Sequence, residues 1–260
     1  MENIKITPLD IFNNLFIRLK SRKIKDNILE IEYLISIGKG FEKWLQGEFI
    51  LANIIHQNIE LYPAIYKNKE SGTSIRADAK GKGERIGDIG IEYNLGDKRG
   101  KKECDIFILE SPFLKKYLCE DSWKIKDNST EGKIRDLYNN KSKAHYIELK
   151  AKNYIEINKG LDNGLDSISE LMSYDLNKLY NIFKKKHNLK EFLPRSVISI
   201  CCFGFYNSQK EKLSEKDKES MIDVIIKNIV DNSYFENIKF VHEFINDYIC
   251  LLMAYYDKFE

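Results

Sequence analysis

Apolar positions recur at helical spacing near the start of the chain. Thr7-Pro8-Leu9-Asp10 carries the marks of a helix start: a capping hydroxyl, a proline in the first turn and an acidic residue three positions on. A helix to about Lys20 follows, a second is expected after Asp26, and Phe41 to about Gln57 reads as a third, strongly apolar one. From Leu61 the pattern shortens. β-rich runs at 61–66, 84–93, 103–110 and 144–151 are separated by Gly- and Lys-rich segments. The stretch 111–143 is too long for a hairpin loop and reads as an insertion with some structure of its own. Helical spacing returns at about 166–187, where Ile168, Leu171, Met172, Leu176, Leu179 and Phe183 mark one broad face. Val197 to Phe205 is a continuous apolar run, as in a buried strand. A helix over about 215–231 and strand-like runs at 238–245 and 247–256 complete the pattern. The expected fold class is α/β, a mixed central sheet flanked by helices.

Length and composition bound this picture. With 260 residues against roughly 150 per domain, one domain over 1–260 is expected, with a helical N-terminal segment at about 1–35. A chain that is 43% hydrophobic and 32% charged has enough apolar material for a core, which excludes a largely disordered protein. The longest apolar stretch, Tyr248 to Tyr256, falls far short of the roughly 20 residues a bilayer demands. No basic region followed by an apolar run opens the sequence, so a soluble, cytoplasmic protein without membrane contact is expected. The cysteines (Cys104, Cys119, Cys201, Cys202 and Cys250) form no CxxC pair, and His242-Glu243 lacks the second histidine of HExxH. Disulfides and a zinc protease are therefore not expected.

Net charge is only +2, but its distribution is uneven. Residues 67–102 hold ten basic and six acidic side chains, and residues 111–147 hold eight and five. The positive excess thus sits in two loop-like segments on a body that is otherwise acidic. Such segments suit a polyanion, and solvated loops are also often lysine-rich.

Several chemistries drop out. There is no Gly-x4-Gly-Lys-[Ser/Thr], the Gly-Lys-Gly triplets at 38–40 and 81–83 lack the context of a phosphate loop, and no Gly-x-Ser-x-Gly elbow occurs. Two strands and one helix remain informative. In His145-Tyr146-Ile147-Glu148-Leu149-Lys150-Ala151, alternation puts Glu148 and Lys150 on one face and Ile147, Leu149 and Ala151 on the other. In Glu103-Cys104-Asp105-Ile106-Phe107-Ile108-Leu109, a single carboxylate, Asp105, heads an apolar strand. Taken singly, either motif is an ordinary surface feature. On the third helix, Trp44, Leu45, Glu48, Ala52 and Ile55 fall within roughly 60° of one direction. A carboxylate in such a stripe costs several kcal/mol unless it is paired or metal-bound, so Glu48 is either a site residue or a partnered core residue.

A helical Glu48, a strand with Asp105, a strand with Glu148-x-Lys150 and a following amphipathic helix resemble, in that order, the PD-(D/E)xK nuclease superfamily. The resemblance spans roughly residues 36–205 as a pattern of elements. It implies a restriction-endonuclease-like mixed sheet with helices on both faces, and metal-dependent cleavage of nucleic-acid phosphodiesters. By this resemblance Asp105, Glu148 and the backbone carbonyl of Leu149 would bind the metal, Mg²⁺ with Mn²⁺ as a substitute. Lys150 would stand at the attacking water and Glu48 would be the auxiliary helix carboxylate. Asp175-Leu176-Asn177-Lys178-Leu179 is similar to the helix that follows the motif in many such nucleases. The chain departs from the pattern in two respects. Cys104 replaces the proline before the aspartate, and 42 residues separate Asp105 from Glu148, beyond a hairpin-like spacing. Asp88 is a rival first carboxylate, farther away still.

The chemistry accounts for these residue types. Phosphodiester hydrolysis must stabilise growing negative charge and supply a hydroxide-like nucleophile. Two converging carboxylates suit Mg²⁺, a hard cation that retains waters, and a lysine beside it stabilises the transition state. The leading expectation is a Mg²⁺-dependent DNA endonuclease of the restriction or phage-defence type. Lys98, Arg99, Lys101, Lys102 and Lys178 are the expected nucleic-acid contacts. A homodimer would match the pseudo-twofold symmetry of duplex DNA. Three rivals stay open: a nucleic-acid-binding module without turnover, an RNA-directed or exonucleolytic nuclease on the same scaffold, and an interaction protein with a merely solvated charged face.

Overall fold

The computed structural model describes residues 7–24, 28–37, 41–57, 65–68, 72–75, 89–94, 103–110, 143–157, 162–184, 193–207 and 213–258. Three helices come first: α1 (Pro8–Ser21), α2 (Glu30–Ile37) and α3 (Phe41–Gln57). The start of α1 is the expected capping box. The Thr7 hydroxyl accepts the Asp10 N–H at 3.2 Å, and the Asp10 carboxylate accepts the Thr7 N–H at 2.9 Å.

The strands β1 (Ile65–Asn68) and β2 (Gly72–Ile75) pair antiparallel on their own. The remaining strands are β3 (Ile89–Asn94), β4 (Glu103–Glu110), β5 (Lys143–Ile157), β6 (Leu193–Asn207), β7 (Lys239–Asn246) and β8 (Ile249–Asp257). Among the described residues they form one six-stranded sheet in the order β3-β4-β5-β6-β8-β7. Among the described strands only β5 and β6 run parallel, joined through the helix α4 (Asp162–Lys184). A parallel pair needs such a crossover, whereas β7 and β8 are joined by a tight turn. Helix α5 (Glu215–Asn232) lies between β6 and β7 in the chain.

Alternation along the central strands divides the core into two layers. Ile147 and Leu149 of β5, Ile198 and Ile200 of β6, and Leu251 and Met253 of β8 pack with α1, α2 and α3. Tyr146, Val197, Cys201 and Leu252 pack on the opposite face with α4 and α5. This is a mixed α/β architecture with helices on both faces of a mixed sheet, as the periodicity predicts.

Element boundaries differ from expectation where local chemistry extends a segment. Helix α4 begins at Asp162, ahead of the expected 166. Gly164 permits this early start, because a Cβ there would stand 2.2 Å from Ile155 Cγ2, so only glycine lets the first turn lie against β5. Helix α2 begins at Glu30, later than the sequence pattern predicts, β2 was not anticipated, and positions 84–88 of the expected strand at 84–93 lie outside the described residues. Most of the 111–143 segment lies outside the described residues, as do Asp88 and the basic residues Lys98, Arg99, Lys101 and Lys102.

Candidate active site

The site grows from the pleat of two neighbouring strands. On β4, Ile106 and Ile108 are buried toward α1–α3, which turns Asp105 to the α4 face. On β5, Ile147 and Leu149 do the same, leaving Glu148 and Lys150 on the α4 face. The antiparallel register of Ile106 with Ile147 sets Asp105 level with Glu148. The long separation in sequence does not prevent this pairing, because loop closure cost grows only logarithmically with length. The Leu149 N–H then donates to Asp105 Oδ2 at 2.8 Å, which holds the carboxylate against β5.

Helix α4 closes the site from above. Ile168, Met172, Leu176 and Leu179 are buried in the core, and Asp175 and Lys178 lie beside that stripe, three residues apart. Lys178 Nζ donates to Glu148 Oε1 at 2.5 Å. Lys150 Nζ stands 3.6 Å from Asp105 Oδ2, 3.7 Å from Glu148 Oε2 and 3.7 Å from Asp175 Oδ2. Glu148 and Asp175 are almost fully buried, while Lys150 and Asp105 keep about a fifth of their side-chain surface in solvent.

Burial and crowding set the charge state. Burial pushes the Glu148 carboxyl up to about 8, Asp105 and Asp175 add to the rise, and Lys178 opposes it. Burial likewise raises Asp175 to about 7, against the pull of Lys150 and Lys178 and with further repulsion from Asp105 and Glu42. At Lys150 burial disfavours the ammonium, but Asp175, Asp105, Glu148 and Glu42 outweigh it and hold the lysine protonated well above its usual range. These interacting groups comprise four carboxyls and two ammonium ions, and with Glu148 and Asp175 raised, all four carboxyls are ionised together only above about pH 8. Carboxylate oxygens are the donor type that hard divalent cations take. Among the described residues, no three His, Cys, Asp or Glu side chains stand close enough to grip a metal ion as they are placed.

Asp105, Glu148 and Lys150 are therefore brought together, and Leu149 joins them through its backbone. Lys178, expected to contact nucleic acid, donates to Glu148. Glu48, expected as the auxiliary carboxylate, is tied elsewhere: its Oε2 lies 2.5 Å from Arg18 Nε and 3.8 Å from Arg22 Nε, both from the α1 segment. The stripe that turns Glu48 inward faces α1, so its burial is compensated by arginine. The α3 carboxylate whose field reaches the site is Glu42, six residues earlier and about 120° around the helix. Asp175 and Glu42 were not legible as site residues. Asp175 had a signal in its spacing from Lys178, whereas Glu42 is one more acidic residue in a helix's first turn.

Comparison of the chain with protein-family models, with curated proteins and with solved structures found no match. Among the described residues, no helix is long and apolar enough to cross a membrane.

Proposed function

We propose that this chain is a Mg²⁺-dependent DNA endonuclease with a restriction-endonuclease-like fold, serving restriction or phage defence. The observation that carries the reading is the β4–β5 pairing, which sets Asp105 beside Glu148 and Lys150 on one face of the sheet under α4. Asp105, Glu148 and the Leu149 carbonyl would hold the cation, with Mn²⁺ as a substitute. In an extended strand the N–H and C=O of one residue point to the same side, so the Leu149 carbonyl faces the side on which its N–H meets Asp105. When bound, the cation polarises the scissile phosphate and acidifies a coordinated water.

The chain's own groups supply the rest. Lys150, held cationic by its neighbours, stabilises charge growing on the phosphate oxygens and orients the attacking water. Lys178 holds Glu148 through one oxygen and leaves Oε2 turned toward Lys150. The basic segments at 67–102 and 111–147 supply the positive field for a DNA backbone.

The test is nicking of a supercoiled plasmid by the purified chain with Mg²⁺, and its loss in excess chelator. A second reading, a DNA-binding module without turnover, draws on the two lysines that already face the carboxylates. It predicts a mobility shift with intact plasmid under the same conditions. A linear-only or RNA-only substrate preference would move the assignment to an exonucleolytic or RNA-directed enzyme.

A further inference from the structure

Strand β7 ends the six-stranded sheet and, among the described residues, pairs with β8 alone. Its other side therefore turns alternate backbone N–H and C=O groups outward, a template for one more strand. Proteins usually blunt such an edge with a proline, a very short strand or a bulge. β7 has eight residues without proline or glycine. Its register irregularity falls late, between Phe244 and Asn246, and leaves 239–244 regular.

The pleat sorts the side chains of this edge. Val241 packs toward α1–α3, and Phe240 and Phe244 pack toward α4 and α5. Lys239, Val241 and Glu243 therefore share one face, while Phe240, His242 and Phe244 share the other. Lys239 and Glu243 are exposed, and the three residues between them are half-buried. A basic and an acidic residue thus flank Val241 symmetrically on one face of an open edge.

Twofold symmetry makes this pattern self-complementary. Two β7 strands meet antiparallel about an axis perpendicular to the sheet, which sets each residue opposite one from the same face. With the axis at Val241, Lys239 of each copy stands opposite Glu243 of the other, and Phe240 stands opposite His242. An axis at Lys239, His242 or Glu243 would instead oppose two ammoniums, two imidazoles or two carboxylates, and directly opposed like charges are destabilising. An axis at Phe240 sets Lys239 against Val241, and one at Phe244 sets Glu243 against Ile245, so neither pairs the charges.

We propose that a second copy of this chain docks on the β7 edge, antiparallel about Val241, and continues the sheet across the pair. β7 lies at the opposite end of the sheet from β3 and β4, so this interface is independent of the nuclease reading and of the Asp105–Glu148–Lys150 cluster.

The test is sedimentation velocity of the full chain across the micromolar range at low ionic strength, where exposed ion pairs are least screened. Wild type, Lys239→Glu, Glu243→Lys and the double charge swap are compared, each with its near-ultraviolet circular dichroism. Wild type should be a dimer. Each single variant opposes like charges at two symmetric positions and should weaken that dimer about tenfold or more. An equimolar mixture of the two single variants brings unlike charges together at both positions and should restore it, as should the double swap. A wild-type chain that stays monomeric overturns the proposal. So does a dimer that the single variants leave intact, or one that the mixture fails to restore. If one single variant loses its native dichroism, the other decides together with the double swap: a weakened dimer in the first and a restored one in the second uphold the interface, and any other result refutes it.

Discussion

Asp105 Oδ2 accepts the backbone N–H of Leu149 at 2.8 Å, a bond between strands whose partners stand 44 residues apart in the chain. The bond fixes the carboxylate on the face of β5 that also carries Glu148 and Lys150. An amide can accept the same N–H, so Asp105→Asn keeps this contact and removes only the charge. Cleavage should fall by about 100-fold or more, since even groups one shell out from a metal contribute 10- to 100-fold. The thermal midpoint should stay near wild type. Cleavage rate and midpoint measured on one preparation decide the matter, and a variant that cuts normally removes Asp105 from the site.

Metal identity follows from the donors. The converging groups are oxygen donors, so Mg²⁺ and Mn²⁺ should support plasmid cleavage and chelator should abolish it. The neighbouring cysteine is no soft competitor: burial pushes the Cys201 thiol up to about 12, which leaves it protonated and a poor ligand for thiophilic ions. Undiminished cleavage in excess chelator would rule out the metal mechanism.

Stability should depend on pH in a defined direction. Folding raises Glu148 from its usual 4.5 to about 8 and Asp175 from 3.8 to about 7. Between those limits the folded chain keeps protons that the unfolded chain releases, so metal-free stability falls as pH rises through this window. Lys150 is protonated in both states across the same range and adds no slope. The midpoint of the metal-free protein should drop as pH rises from about 4.5 to about 8, and Glu148→Gln should flatten the decline. Added Mg²⁺ should recover more stability at the higher pH, because it binds the deprotonated carboxylates. Calorimetric scans across the range test both effects, and a midpoint that rises with pH contradicts the charge assignment.

Local patterns in the sequence were the readable part of this fold. Thr7 and Asp10 announce the start of α1 by a motif only four residues long, and the apolar run from Val197 to Phe205 marks the heart of β6. Period-two alternation also placed Glu148 and Lys150 on one face. The adjacency of Asp105 and Glu148 was harder, since strand pairing across 42 residues leaves no local trace and an apolar strand is compatible with several partners. Glu48 shows the limit most plainly. Helical periodicity turned it inward, but whether the interior offered a metal or an arginine depended on how α1 packs against α3. Asp175 was similarly visible as a helix position and silent about what lay beneath it.

The two α3 carboxylates provide a test of that distinction. Glu48 is 5% exposed and paired with Arg18, so Glu48→Gln leaves a largely buried guanidinium without its counter-charge. Breaking such a pair should cost about 3 kcal/mol of stability, while cleavage per folded molecule stays unchanged. Glu42 is half-buried, and its charge acts on Lys150 and Asp175. Glu42→Gln removes a carboxylate whose field disfavours the charged form of Asp175, so its midpoint should hold or rise in metal-free buffer. Its cleavage should require about tenfold more Mg²⁺, the lower end of the range for groups that tune a metal from outside its ligand shell. Denaturant unfolding and Mg²⁺ titrations of cleavage on both variants separate the roles. If Glu48→Gln instead shifted the Mg²⁺ requirement at unchanged stability, the auxiliary carboxylate of the site would be Glu48 after all, and the pair with Arg18 would have to open when the cation binds.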